Sequence, residues 1–119
     1  MNVPQVFESE YRFCLILWQN EPINSTKLAA LCKEQLGWSK ATTYTVLRRL
    51  AERGVLKNEN ATVSSLVSKE DVQASELENM VEKTFEGSIP AFIAAFSRSK
   101  KLTTEELDQL QALIDNYKG

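Results

Sequence analysis

The sequence predicts a mainly α chain with one short β-hairpin at its middle. Three observations carry this. Apolar residues recur with helical spacing in three short segments before residue 54. Two β-prone pieces follow Gly54, split by Asn58-Glu59-Asn60-Ala61. Helical spacing then returns and holds to the end.

Tyr11, Cys14, Leu15 and Trp18 fall at i, i+3, i+4 and i+7, which places helix 1 over Glu8 to Gln19. Asn20-Glu21-Pro22 ends it, because proline disfavours helix in the residue before it. Ser25-Thr26 opens helix 2 with a hydroxyl free to cap, and its stripe is Leu28, Leu31, Cys32 and Leu36. Gly37 closes it, and Ser39 is an N-cap for the next helix. Helix 3 runs from Lys40 to Arg53 with the stripe Thr43, Val46, Leu47 and Leu50. Its other side collects Lys40, Ala41, Tyr44, Thr45, Arg48, Arg49 and Glu52. Val55-Leu56-Lys57 and Thr62 to Leu66 form the hairpin.

Three short helices, a tight glycine-containing turn between the last two, and a hairpin give the order of a winged helix-turn-helix over residues 1–67. Residues 68–119 predict further helices. Ser68 and Asp71 form a variant capping box, and Thr103 and Glu106 a standard one. The apolar stripes are Leu77, Met80, Val81, Thr84, Phe85; Ile89, Phe92, Ile93, Phe96; and Leu107, Leu110, Leu113, Ile114, Tyr117. About fifty residues bury too little surface to fold alone. A second copy of the same piece covers these stripes most simply, so a homodimer is expected through Leu77, Met80, Val81, Phe85, Ile89, Phe92, Ile93, Phe96, Leu107, Leu110 and Ile114. Folding back onto residues 1–67 is the other way to cover them.

The chain holds 119 residues and a net charge of −2, with no histidine and two cysteines, Cys14 and Cys32. Lacking histidine, it has no usual general base and no usual zinc ligand. No glycine loop cradles a phosphate, and no carboxylate pair sits in a polar pocket. No enzyme, cofactor or metal is therefore expected. Two cysteines without ligand spacing fit a reduced, cytoplasmic setting, and Cys14 reads as a small core residue. No apolar run approaches the ~18 residues of a membrane span, and the start shows no secretory signal.

The charge is divided unevenly. Residues 1–67 carry eight Lys/Arg and six Asp/Glu, or +2. Residues 68–119 carry six and ten, or −4. The basic half holds the helix-turn-helix, whose second helix enters the DNA major groove N-terminal end first. Lys40, Thr42, Tyr44 and Thr45 are the candidates for base edges and nearby phosphates. Arg48 and Arg49 follow one turn later. Ser25, Thr26 and Ser39 are candidates for phosphate bonds, and Lys57 is the charged donor of the hairpin. The alternative is a winged-helix protein–protein interaction module without specific DNA binding, which the short hairpin and acidic total permit.

Trp18, the block GWSKATTYTVLRRLAERGVL from Gly37 to Leu56, and Ser65 to Glu70 resemble the BlaI/MecI/CopY family, the penicillinase-repressor type. The likeness continues through Phe85-Glu-Gly-Ser88 and Leu102 to Leu110. It implies a homodimeric winged-helix repressor on a palindromic operator in double-stranded DNA. Thr42, Thr45 and Arg49 match the family's DNA-contacting positions. In the β-lactam branch it also implies a membrane sensor protease as partner. That branch is cut at an Asn-Phe bond, where this sequence has Ala95-Phe96. The cysteine motif of the copper branch is absent, and the hairpin is shorter than the family's wing and lacks its basic and aromatic residues.

Overall fold

The computed structural model describes residues 2–118. Its elements are α1 (Glu8–Asn20), β1 (Ile23–Asn24), α2 (Ser25–Leu36), α3 (Lys40–Glu52), β2 (Leu56–Glu59), β3 (Thr62–Ser65), α4 (Lys69–Phe85), α5 (Ile89–Ser99) and α6 (Thr104–Lys118). Two compact units divide the chain, Met1–Leu77 and Glu78–Gly119, with the division inside α4.

In the N-terminal unit three helices pack beside a small antiparallel sheet of order β1-β3-β2. Phe13, Leu17, Leu28, Leu50, Val55, Leu56, Val63 and Val72 form the dry centre. The unit extends past residue 67 because the first turns of α4 join this core. Val72 is buried in it, and the Trp18 indole donates to the Val67 carbonyl at 3.0 Å.

The buried face of α1 lies to one side of the expected stripe. Phe13, Cys14, Ile16 and Leu17 are buried, while Tyr11, Leu15 and Trp18 are half-buried. The segment from Phe13 to Trp18 is apolar without a break, so spacing alone does not fix its rotation. Burial, aided by the charge of Glu10, pushes the Cys14 thiol up to about 12, so it stays protonated as a core group.

Asn24, not Ser25 or Thr26, caps α2, accepting from the Thr26 N–H at 2.8 Å. Gly37 ends the helix at φ 71°, and its N–H bonds back to the Lys33 carbonyl. A side chain is strained in that left-handed conformation, which explains glycine there. The wing is longer and wider than expected. Pairing continues through Asn58 and Glu59, leaving a two-residue turn, Asn60-Ala61, with φ 53° and 64°. β1 supplies a third strand, pairing Ile23 with Val63. Beyond β1, the Glu21 carboxylate accepts from the N–H and hydroxyl of Ser65, replacing the next strand partner.

In the C-terminal unit the Ser88 and Thr103 side chains cap α5 and α6. The bond from the Thr103 N–H holds the Glu106 carboxyl below its usual range. Phe85, Phe92 and Phe96 form an aromatic row, with ring centroids 5.8 and 6.3 Å apart. Val81 is buried, and Phe85 and Phe92 are half-buried. Met80, Ile89, Ile93, Phe96, Leu107, Leu110 and Ile114 of the expected dimer face are exposed. Leu77, also exposed, is the last residue of the N-terminal unit.

Candidate nucleic-acid interface

The structure presents α3 as a helix buried along one side and open along the other. Thr43, Val46, Leu47 and Leu50 face the core, as their spacing requires. At about 100° per residue, Thr42, Thr45 and Arg49 fall within about 60° of one another on the opposite side. Lys40, Ala41, Thr42, Arg48 and Arg49 are exposed, and Thr45 is half-buried beside them. The exposed face therefore carries two guanidinium groups, one ammonium and two hydroxyls, with Glu52 only in the last turn.

Local bonds fix the N-terminal end of this face. The Ser39 hydroxyl accepts from the Thr42 N–H at 3.1 Å and donates to the Thr42 hydroxyl at 3.0 Å. The Thr42 oxygen keeps its own proton to donate outward. The Thr45 hydroxyl donates to the Ala41 carbonyl at 3.0 Å and keeps lone pairs to accept. These two threonines thus offer different hydrogen-bond roles one turn apart.

Tyr44 and Ser25 come together rather than facing outward side by side. The Tyr44 hydroxyl donates to the Ser25 hydroxyl oxygen at 3.3 Å, joining α3 to the first residue of α2. The Ser25 and Thr26 side chains, turning to donate to the tyrosine oxygen when it is charged, lower the tyrosine pKa. Ser25 is 5% exposed and its N–H is taken by the Ala61 carbonyl of the wing turn. It fastens the motif, leaving Thr26 as the exposed hydroxyl of α2's first turn. Lys40 lies 6.0 Å from the centroid of the Tyr44 ring. Lys57 stands on β2, apart from α3, with its ammonium 3.9 Å from the Glu59 carboxylate. An exposed pair of this kind is worth little and leaves the lysine free to exchange partners.

Arg53, the fourth cation of the basic segment, turns away from this face. It pairs with Glu10 of α1 and donates to the Gln5 carbonyl at 3.0 Å. Sequence spacing gave no sign of this pair, whose members lie 43 residues apart. The Asn24 cap was missed as well. An Asn before Ser-Thr was its only local signal, and two hydroxyls competed for the same role.

Among the described residues no group of histidine, cysteine or carboxylate side chains can hold a metal ion, and no helix is long and apolar enough to cross a membrane. The arrangement suits a polyanion: cations and hydroxyls lie together on the open side of a helix.

The chain is similar to the penicillinase repressor of Bacillus licheniformis, at 19% identity over 121 residues, covering 98% of this chain and 94% of that protein. Part of the fold is similar to the DNA binding domain of the repressor BlaI, whose solution structure matches at TM-score 0.51 and 24% identity. That match covers 59% of this chain and 90% of the domain. The penicillinase repressor model matches residues 7–116. It is a family of repressors rather than enzymes. With both the winged helix and the C-terminal helices inside that match, the chain belongs to the penicillinase repressor family.

Proposed function

We propose that this protein is a DNA-binding repressor that acts in the cytoplasm as a homodimer on a palindromic operator. The observation that carries this is the exposed face of α3, where Thr42, Thr45, Arg48 and Arg49 stand together away from a buried stripe, with Lys40 exposed in the helix's first turn. In this reading the first turns of α3 enter the major groove. Thr42 and Thr45 meet base edges, and Lys40, Arg48 and Arg49 meet phosphates or guanine. Thr26, at the start of α2, meets the backbone. Ser25, Ser39 and Tyr44 hold the motif in shape, and Lys57 adds a weak wing contact.

The exposed stripes of the C-terminal unit support the dimer, and two linked half-sites raise affinity without any new contact. Non-specific binding at physiological salt lies at about 10⁻⁴ to 10⁻⁶ M. A specific site is expected at about 10⁻⁸ to 10⁻¹¹ M. In the β-lactam branch a membrane sensor protease relieves repression by cutting at an Asn-Phe bond, and the Ala95-Phe96 pair here argues against that route for this chain. Survival of the Ala95-Phe96 bond, inside α5, in the presence of such a protease is the expected result.

The test is fluorescence anisotropy on the DNA upstream of the protein's own gene, against scrambled DNA, across a salt series. Tight, sequence-preferring binding with a log–log salt slope near −5, about six phosphates per dimer, is the expected result. Flat, weak binding to both DNAs overturns it and turns attention to a protein partner.

A further inference from the structure

The two ends of α3 are held differently. Near its N-terminal end Tyr44 reaches α2 through neutral hydroxyl contacts alone. At its C-terminal end Arg53, the C-cap residue, is gripped by three groups. One guanidinium nitrogen pairs with a Glu10 carboxylate oxygen, another donates to the Gln5 carbonyl, and the group lies 5.2 Å over the Phe7 ring. The second oxygen of Glu10 accepts from the Phe7 N–H at 3.0 Å. Glu10 is only 6% exposed, an acid inside an apolar core.

The chain before α1 takes part in the same arrangement. Val6 is buried in the core and Val3 packs against it, so residues 3–7 lie fixed where Arg53 meets them. A charge so enclosed is weak support for stability, since well-packed apolar residues often do as well. What it adds is direction. The stripe Thr43, Val46, Leu47 and Leu50 holds α3 by apolar contact, which is non-directional. A charged, hydrogen-bonded pair tolerates far less displacement. Reading base edges needs the helix held to within about 0.5 Å.

We propose that the Arg53–Glu10 pair sets the angle and depth at which α3 is presented, making both positioning residues for DNA recognition although neither touches DNA. This rests on the DNA-binding reading above. Loss of the pair leaves every groove-facing side chain in place and lets the helix settle over a range of tilts. Matched DNA then loses aligned contacts, while scrambled DNA, held through phosphates alone, loses little.

The experiment measures binding of the full chain to matched and scrambled DNA for wild type, Arg53→Ala, Glu10→Gln and the double variant, well below each melting temperature and across a salt series. Wild-type preference for matched DNA tests the DNA-binding reading by itself; its absence removes that reading and this inference together. Given that preference, Arg53→Ala is expected to weaken matched binding about tenfold and scrambled binding less than about twofold, with the salt slope unchanged. Glu10→Gln, which keeps an acceptor for the Phe7 N–H and the shape of the side chain, weakens matched binding in the same sense. The double variant loses no more than Arg53→Ala alone, because the residues act as one unit. Equal losses on both DNAs with a salt slope smaller by about 1 would make Arg53 a phosphate contact and overturn the proposal. Should Arg53→Ala fail to fold, Glu10→Gln decides: a lower melting temperature with unchanged discrimination would show a pair that serves the fold only.

Discussion

Phe13, Leu17, Leu28 and Leu50 in the N-terminal unit are closed off from solvent, whereas Leu107, Leu110, Leu113 and Ile114 in the C-terminal unit remain open to it. The underlying periodicity is the same in both. The N-terminal unit has three helices crossing a sheet, so each stripe finds another element of the same chain. In the C-terminal unit α5 and α6 have no buried residue among those described. An apolar stripe thus reports a demand for cover without naming its source. Where the chain cannot supply that cover, a partner is the physical expectation.

The largest effects should break this contrast from the N-terminal side. Leu50→Ala empties a fully buried site and should cost about 2–5 kcal/mol in urea denaturation. The matching change on the open side, Leu113→Ala, at 66% exposure, should cost a monomer less than about 0.5 kcal/mol. A large loss there under monomeric conditions would mean the stripe is covered within the chain. Leu110→Asp attacks the proposed partner surface. It should yield monomers by analytical ultracentrifugation and weaken operator binding about a hundredfold, with the melting of the N-terminal unit unchanged. Tight operator binding by a proven monomer would sink the dimer.

Smaller changes sharpen the comparison within the N-terminal unit. Thr45→Ala should cost about 1–3 kcal/mol at one base pair and little on other sequences. Arg49→Ala should weaken matched and scrambled DNA alike and reduce the salt slope by about 1. The smallest effect is at the wing turn. Ala61 sits at φ 64°, a strained conformation for any residue but glycine. Ala61→Gly should raise stability by about 0.5–1 kcal/mol in thermal unfolding and leave DNA affinity unchanged.

The sequence made α3 legible because its apolar and polar residues separate cleanly at a single period, so the buried stripe and the open face were both readable. Legibility failed wherever the deciding partner lay far along the chain. β1 has two residues, too few for any alternation, and exists because β3 offers it an edge. The rotation of α1 is fixed by what packs on it, since Phe13 to Trp18 is apolar all round. Ser25 and Tyr44 are polar, and as separate residues they read as DNA contacts; their 19-residue separation hid that they satisfy each other. Arg53 read as one more cation of a basic segment until Glu10 was seen beneath it. Composition reveals that such groups need partners, but only the fold chooses between an internal partner and an external one.

The placement of the two indoles gives the molecule a built-in optical gauge. Trp38 lies at the turn between α2 and α3, nearly parallel to the Phe13 ring at 6.1 Å, while Trp18 is bonded to the backbone just ahead of α4. These are the two tryptophans of the chain, so Trp18→Phe leaves emission from the α2–α3 turn alone and Trp38→Phe leaves emission from α1, where it meets the backbone ahead of α4. Without any added dye, one variant tests the proposed seating of α3 on DNA, and the other follows the packing of α1 against the segment that leads into α4.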